Sequence, residues 1–262
     1  MNWEPVHSDH SIDNVSAIFV FQANLSDMFD DLAVAAKKAS ARFELTHRAE
    51  FIEPIELPAG SGVANFEIDG RNVPRRVAYQ RLDDQRRVID ELSISATKLT
   101  LTTARYRRWA DFYERLVGIY RDMQIYSAVN FSIKSVQLQY LDRFLSLTDE
   151  ASHFQVLDTS SRYLVPAVSN IQNALHVHSG WFEFNSNEVR QLTNVNIDVG
   201  QAHHIVSGDL RKSVSILTMR KLEALSGDLE DALGCANDLH NGLKDLFRSV
   251  VTTAAASRVG LA

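Results

Sequence analysis

Strand-patterned segments follow one another along this chain with few helices between them, and that order constrains the fold more than any single motif. A parallel sheet needs a crossover, usually a helix, after each strand. Here β-branched and aromatic residues recur with alternating or buried-run patterning over residues 15–22, 44–53, 75–82, 87–95 and 98–102. The same patterning returns over 130–145, 153–158, 163–168, 174–184, 192–199 and 213–222. Consecutive strands favour antiparallel pairing, so the chain is expected to be an α+β protein of mainly antiparallel sheet.

Three helical stripes interrupt the strands. Leu25, Met28, Phe29, Leu32, Ala36, Ala39 and Phe43 share one helix face, with Asn24 and Asp27 arranged as a capping box. Tyr106, Trp109, Phe112, Tyr113, Leu116, Val117, Tyr120 and Met123 form a broad aromatic stripe, for which Thr103 is the expected cap. Leu229, Leu233, Ala236, Leu239, Leu243, Leu246, Phe247 and Val250 line a third helix that contains Gly234 and Gly242. Each glycine costs about 1 kcal/mol of helix propensity, which close approach of another backbone would explain. The 130–145 strand changes its apolar face between Ile133 and Val136, as a bulge near Lys134 and Ser135 would require. The expected organisation is two halves, 1–127 and 128–262, each of strands followed by a long helix. Residues 1–14 read as a polar lead-in and the residues after Thr253 as a frayed tail.

A chain of 262 residues buries enough surface to fold without a staple, and its one cysteine, Cys235, excludes an internal disulfide. No basic, apolar leader and no run of spanning length occurs, so the expected location is the cytoplasm, with no membrane contact.

Three stretches carry a resemblance: KLTLTTARYRRWADFYERLVGIY (98–120), NFSIKSVQLQYLDRF (130–144) and LHNGLKDLFRSVVT (239–252). In this order and spacing they resemble an uncharacterised, sporadically distributed bacterial family. In that family the central strand carries an early arginine, then an aromatic and an Asn. This chain departs from that pattern, with Gln139, Tyr140 and Asp142. The resemblance implies a bacterial cytosolic protein of patchy inheritance, which suits accessory cargo such as defence or toxin–antitoxin genes. It supplies no catalytic residues.

Chemistry-bearing motifs are sparse. His176 and His178 alternate onto one strand face and His203 follows a neighbouring strand, a weak candidate for a metal site. The alternative is an exposed amphipathic face. Cys235 sits beside an apolar helix stripe among acids, a setting for an inert thiol. The Gly-rich stretch 58–62 lacks the lysine and following helix of a phosphate loop. Nothing in the sequence calls for a cofactor.

Charge is the most informative feature. Residues 71–108 hold ten basic residues and four acids, a local charge of +6 in a chain of −6. Nine of the ten are arginine, suited to bidentate contact with phosphate or carboxylate. Arg71, Arg75, Arg76, Arg86, Arg87, Arg105, Arg107 and Arg108 are the candidate contact residues. The alternative is a set of solvated hairpin faces. Arg107 and Arg108 at a helix start oppose the macrodipole by about 0.3–1 kcal/mol each, a cost that a partner would offset. The leading expectation is a non-enzymatic binding protein that acts by protein–protein contact. Nucleic-acid binding through the Arg-rich stretch and a His-centred metal-assisted hydrolase are the alternatives, and self-association remains open.

Overall fold

The computed structural model describes residues 1–52, 75–127, 129, 132–164, 170–171, 174–184, 189–204, 207–223, 225 and 229–261. Its strands are β1 (Trp3–Pro5), β2 (Ile12–Phe21), β3 (His47–Ile52), β4 (Arg75–Leu82), β5 (Val88–Ser95), β6 (Lys98–Thr103), β7 (Ile133–Ser146), β8 (Leu175–Phe184), β9 (Arg190–His203) and β10 (Leu210–Leu222). Its helices are α1 (Phe29–Ala41), α2 (Trp109–Tyr126), α3 (Leu229–Val250) and α4 (Thr253–Arg258). All ten strands form one antiparallel sheet in the order β3-β4-β5-β6-β2-β7-β10-β9-β8, with β1 extending the β2 side of β7. Four strands lie beyond β2 and three beyond β7, with β6 next to β2 and β10 next to β7.

One face of this sheet carries the helices. On β7, Val136, Leu138, Tyr140, Asp142 and Phe144 are buried, while Gln137, Gln139, Leu141 and Arg143 between them stay half-buried. Alternation of this kind is what a sheet covered on one face requires. On β2, Val15, Ala17, Phe19 and Phe21 complete the core, and Tyr120 of α2 meets Phe19 edge-on at 5.2 Å. Tyr79 on β4 donates to the Ala33 carbonyl of α1 at 2.9 Å, which ties that helix to the sheet. The expected bulge is present: Val20 pairs with Ser135 but Phe21 with Ile133, so Lys134 is the extra residue.

Several expectations are corrected. The lead-in is built into the fold: Trp3 is fully buried, and its indole N–H donates to the Ser152 carbonyl at 2.8 Å. The tail also folds. Thr252 caps α4 through its side chain, and Ala255 and Ala256 are buried. Residues 153–155 form a 3-10 turn rather than a strand. Residues 163 and 164 lie outside any strand, and 165–168 lie outside the described residues. Asn24 accepts from the backbone N–H of Ser26 at 3.0 Å and opens a 3-10 turn ahead of α1, in place of a capping box. Thr103 accepts from the backbone N–H of Arg105 at 3.0 Å, and α2 begins six residues later. Gly242 makes room for a side chain rather than a backbone, since a Cβ there would collide with the Arg220 guanidinium. Among the described residues no helix is long and apolar enough to cross a membrane.

Candidate functional site

The Arg-rich stretch divides when folded. Arg71 lies outside the described residues. Arg75 and Arg76 begin β4, where Arg76 pairs with Ser95, whereas Leu82 at the other end pairs with Val88. Six residues of extended strand, about 20 Å, separate the two ends. Arg86 and Arg87 occupy the β4–β5 hairpin at the second end. Arg105, Arg107 and Arg108 share that end, because Thr103 pairs with Asp90 and the Ala104 N–H donates to the Ile89 carbonyl at 2.8 Å.

Acids neutralise much of this charge. Arg75 lies 3.5 Å from Asp30 and 3.8 Å from Glu50, and Arg76 lies 3.7 Å from Glu91. Arg87 reaches Asp83 at 2.7 Å, and Arg108 reaches Asp111 at 2.7 Å across the first turn of α2. Arg86, Arg105 and Arg107 are exposed and make no ion pair among the described residues. The basic corner is therefore narrower than the sequence implied.

Beneath that corner Asp90 is buried and clasped by two arginines: Arg81 Nε donates to it at 2.8 Å and Arg115 at 2.6 Å. Burial pushes its carboxyl up. The Thr103 hydroxyl, Arg115 and Arg81 outweigh that effect and hold it below the usual carboxylate value. A depressed folded-state value contributes stability above the unfolded value, and that stability is lost as pH falls through the folded one. Urea unfolding between pH 5 and 2 is thus expected to show a shallower acid decline in Asp90→Asn than in the wild type.

The histidine candidates do not converge. His176 Nδ1 and Asp198 Oδ1 are 2.6 Å apart on the open sheet face. His178 faces the same side two residues on. His203 lies five residues beyond Asp198, bonded to the Gly208 carbonyl at 2.9 Å. Among the described residues no group of three or more His, Cys, Asp or Glu side chains could hold a metal ion. Cys235 is half-buried, and burial followed by Asp238 and Asp231 pushes its thiol up.

A different site emerges where the Arg-bearing loop passes into α2. A cavity of about 420 Å³ lies between the helix-covered sheet face and the helices. Its floor is Tyr140 and Asp142 of β7 and Thr218 of β10. One wall is Tyr106, Arg107 and Trp109 at the entry to α2; the facing wall is His240, Lys244 and Phe247 of α3. The lead-in supplies Asp9 to Ile12, and the folded tail closes the rim with Val259 to Leu261.

Its polar groups are tightly organised. His240 stacks on Trp109 with ring centres 4.4 Å apart and 4° between planes, and its Nδ1 is hydrogen-bonded to the Tyr140 hydroxyl at 2.8 Å. Burial, then Lys244, pulls the imidazole down to about 4, so it is neutral at pH 7. The Trp109 indole N–H donates to Asn237 at 2.8 Å. Tyr106 meets Tyr140 edge-on at 5.7 Å, and burial pushes its hydroxyl up to about 12. Asp142, 4% exposed, accepts from the Ser11 hydroxyl at 2.6 Å. Burial pushes its carboxyl up to about 7; the Ser11 bond opposes the rise and Asp13 adds to it.

Of the residues lining this cavity, sequence reading singled out Arg107 and Arg108, as contacts for a macromolecular partner, and gave no site role to Asp142, Thr218 or His240. The signal for Asp142 was present, since it continues the apolar register of Leu138 and Tyr140. Comparison with protein-family models finds no match, and no curated protein matches the chain.

Proposed function

We propose that this chain is a non-enzymatic binding protein that meets an acidic protein partner through the basic corner formed by Arg86, Arg105 and Arg107. The observation that carries this reading is the selective pairing of charge. Arg75, Arg76, Arg87 and Arg108 have acids of their own, whereas these three are exposed and make no ion pair among the described residues. Cations without an acid partner among the described residues, gathered at one sheet end, are positioned to complement a partner's carboxylates. The sequence resemblance supports assigning this role to an accessory bacterial system, of defence or toxin–antitoxin type, in the cytoplasm. We further read the chain as two halves, 1–127 and 128–262, each of strands followed by a long helix; the strand order supports this division, since β2 to β6 lie on one side of the β2–β7 seam and β7 to β10 on the other.

Affinity capture from the host, with the captured protein then titrated back in pure form, tests the reading. Arg86→Glu combined with Arg105→Glu is expected to weaken that complex at least about tenfold, and Arg75→Glu at the opposite end to leave it unchanged. Equal affinity for the double variant and the wild type would overturn the assignment. A nucleic acid is the competing partner: salt-dependent retention on DNA or RNA, weakened by Arg75→Glu and Arg107→Glu, would point to that alternative.

A further inference from the structure

We propose that the cavity between the β2–β7–β10 sheet face and helices α2 and α3 is a binding site for a small organic anion with a flat apolar body and a hydrogen-bond donor at the end away from its charge. This concerns the cleft behind the basic loop; it shares Arg107 with the basic corner proposed above but requires no macromolecular partner.

Five observations carry the inference. A volume of about 420 Å³ falls within the usual range for small-molecule sites, roughly 300–1,000 Å³. Thr218 lines the cavity with its residue 1% exposed, and its buried hydroxyl has no hydrogen-bond partner among the described residues. Buried hydroxyls are rarely left unpaired, so an occupant that bonds to this one explains it. Asp142 Oδ1 accepts from Ser11, while Oδ2 accepts from no described residue; when ionised, the carboxyl thus offers an acceptor at the inner end for a ligand N–H or O–H. At the rim, Arg107 and Lys244 are exposed and unpaired among the described residues. Asp9, 3.9 Å from His10, opposes them there, which leaves the two cations in excess. The rings of Tyr106, Trp109 and Phe247 on the walls and of Tyr140 on the floor suit a flat apolar body. A carboxylate and a phosphate present the same chemistry to Arg107 and Lys244.

Isothermal titration of the full chain with four probes tests this. 6-Hydroxy-2-naphthoate carries both the charge and the donor, 2-naphthoate lacks the donor, 2-naphthol lacks the charge, and 2-naphthyl phosphate replaces the carboxylate. Saturable one-to-one binding of 6-hydroxy-2-naphthoate is expected, weakened about tenfold or more by loss of either group. Tighter binding of 2-naphthyl phosphate than of 2-naphthoate assigns the anion as a phosphate and the reverse order as a carboxylate; either agrees with the site. Arg107→Gln and Thr218→Val are each expected to weaken 6-hydroxy-2-naphthoate at least about fivefold, and Arg75→Gln, at the far end of the sheet, to leave it unchanged. Should Thr218→Val fail to fold, the exposed Arg107→Gln decides. Absence of saturable binding by all four probes at millimolar concentration, or wild-type affinity in Arg107→Gln, would overturn the proposal.

Discussion

Asp142→Asn is expected to make the protein more stable at pH 8, by up to about 4 kcal/mol, and to change little at pH 4. The expectation follows from where β7 puts the carboxyl. It sits under the helices, on the face that carries Leu138, Tyr140 and Phe144, and its resolved hydrogen bond is the one from Ser11. Burial, opposed by the Ser11 bond and reinforced by Asp13, raises its value from 3.8 to about 7. The folded protein therefore holds a proton that the unfolded chain releases. This group's contribution is most favourable below the unfolded value, falls as pH rises from about 4 to about 7, and levels off above. Tyr106 and Tyr140 stay protonated through this range, because burial raises both hydroxyls, and His240 stays neutral above about 4. Asparagine keeps the shape and the acceptor for Ser11 without the charge. Urea unfolding of both proteins at pH 4, 6 and 8 should show a gap that opens with pH. A variant less stable than the wild type at pH 8 would show that the carboxylate is solvated or paired.

Trp3→Ala is expected to cost about 3–5 kcal/mol, the range for deleting a buried aromatic, and to lower the melting temperature by about 10 °C. Trp3 is fully buried, and β1 carries it against the Phe144–Ser146 end of β7. The same strand anchors the turn at residues 7–10, through which Asp9 and His10 reach the cavity rim. Trp3→Phe should recover most of the loss while forfeiting the bond to the Ser152 carbonyl. A melting temperature unchanged in Trp3→Ala would mean that the lead-in does not pack on β7.

That lead-in also marks where sequence reading fails. Trp3–Pro5 is three residues long, too short for a period of two to register, and α4 is six residues, too short for a helical stripe. Both are held by partners remote in sequence, Ser152 and Gln155. Where a pattern is long enough, it was legible. The alternation of β7 located its bulge at Lys134, and the aromatic stripe of α2 located the helix that covers β2. The Arg-rich stretch was legible as composition but not as geometry, because strand direction sends Arg76 and Arg87 to opposite ends of the sheet. The cavity was harder still. Asp142, Thr218 and His240 are far apart in sequence, and only the pairing of β10 with β7 beneath α3 brings them together.

The small-anion site proposed at the cleft behind the β6–α2 loop can be read directly from the chain's three tryptophans. Trp109 lines the cavity, Trp3 is buried within β1, and Trp181 stacks on Tyr163 at the outer strand β8. Fluorine NMR of protein labelled with 5-fluorotryptophan, titrated with 6-hydroxy-2-naphthoate, should shift the Trp109 signal saturably and leave Trp3 and Trp181 in place. A shift confined to Trp181, or no shift at any of the three, would contradict a site at this cleft.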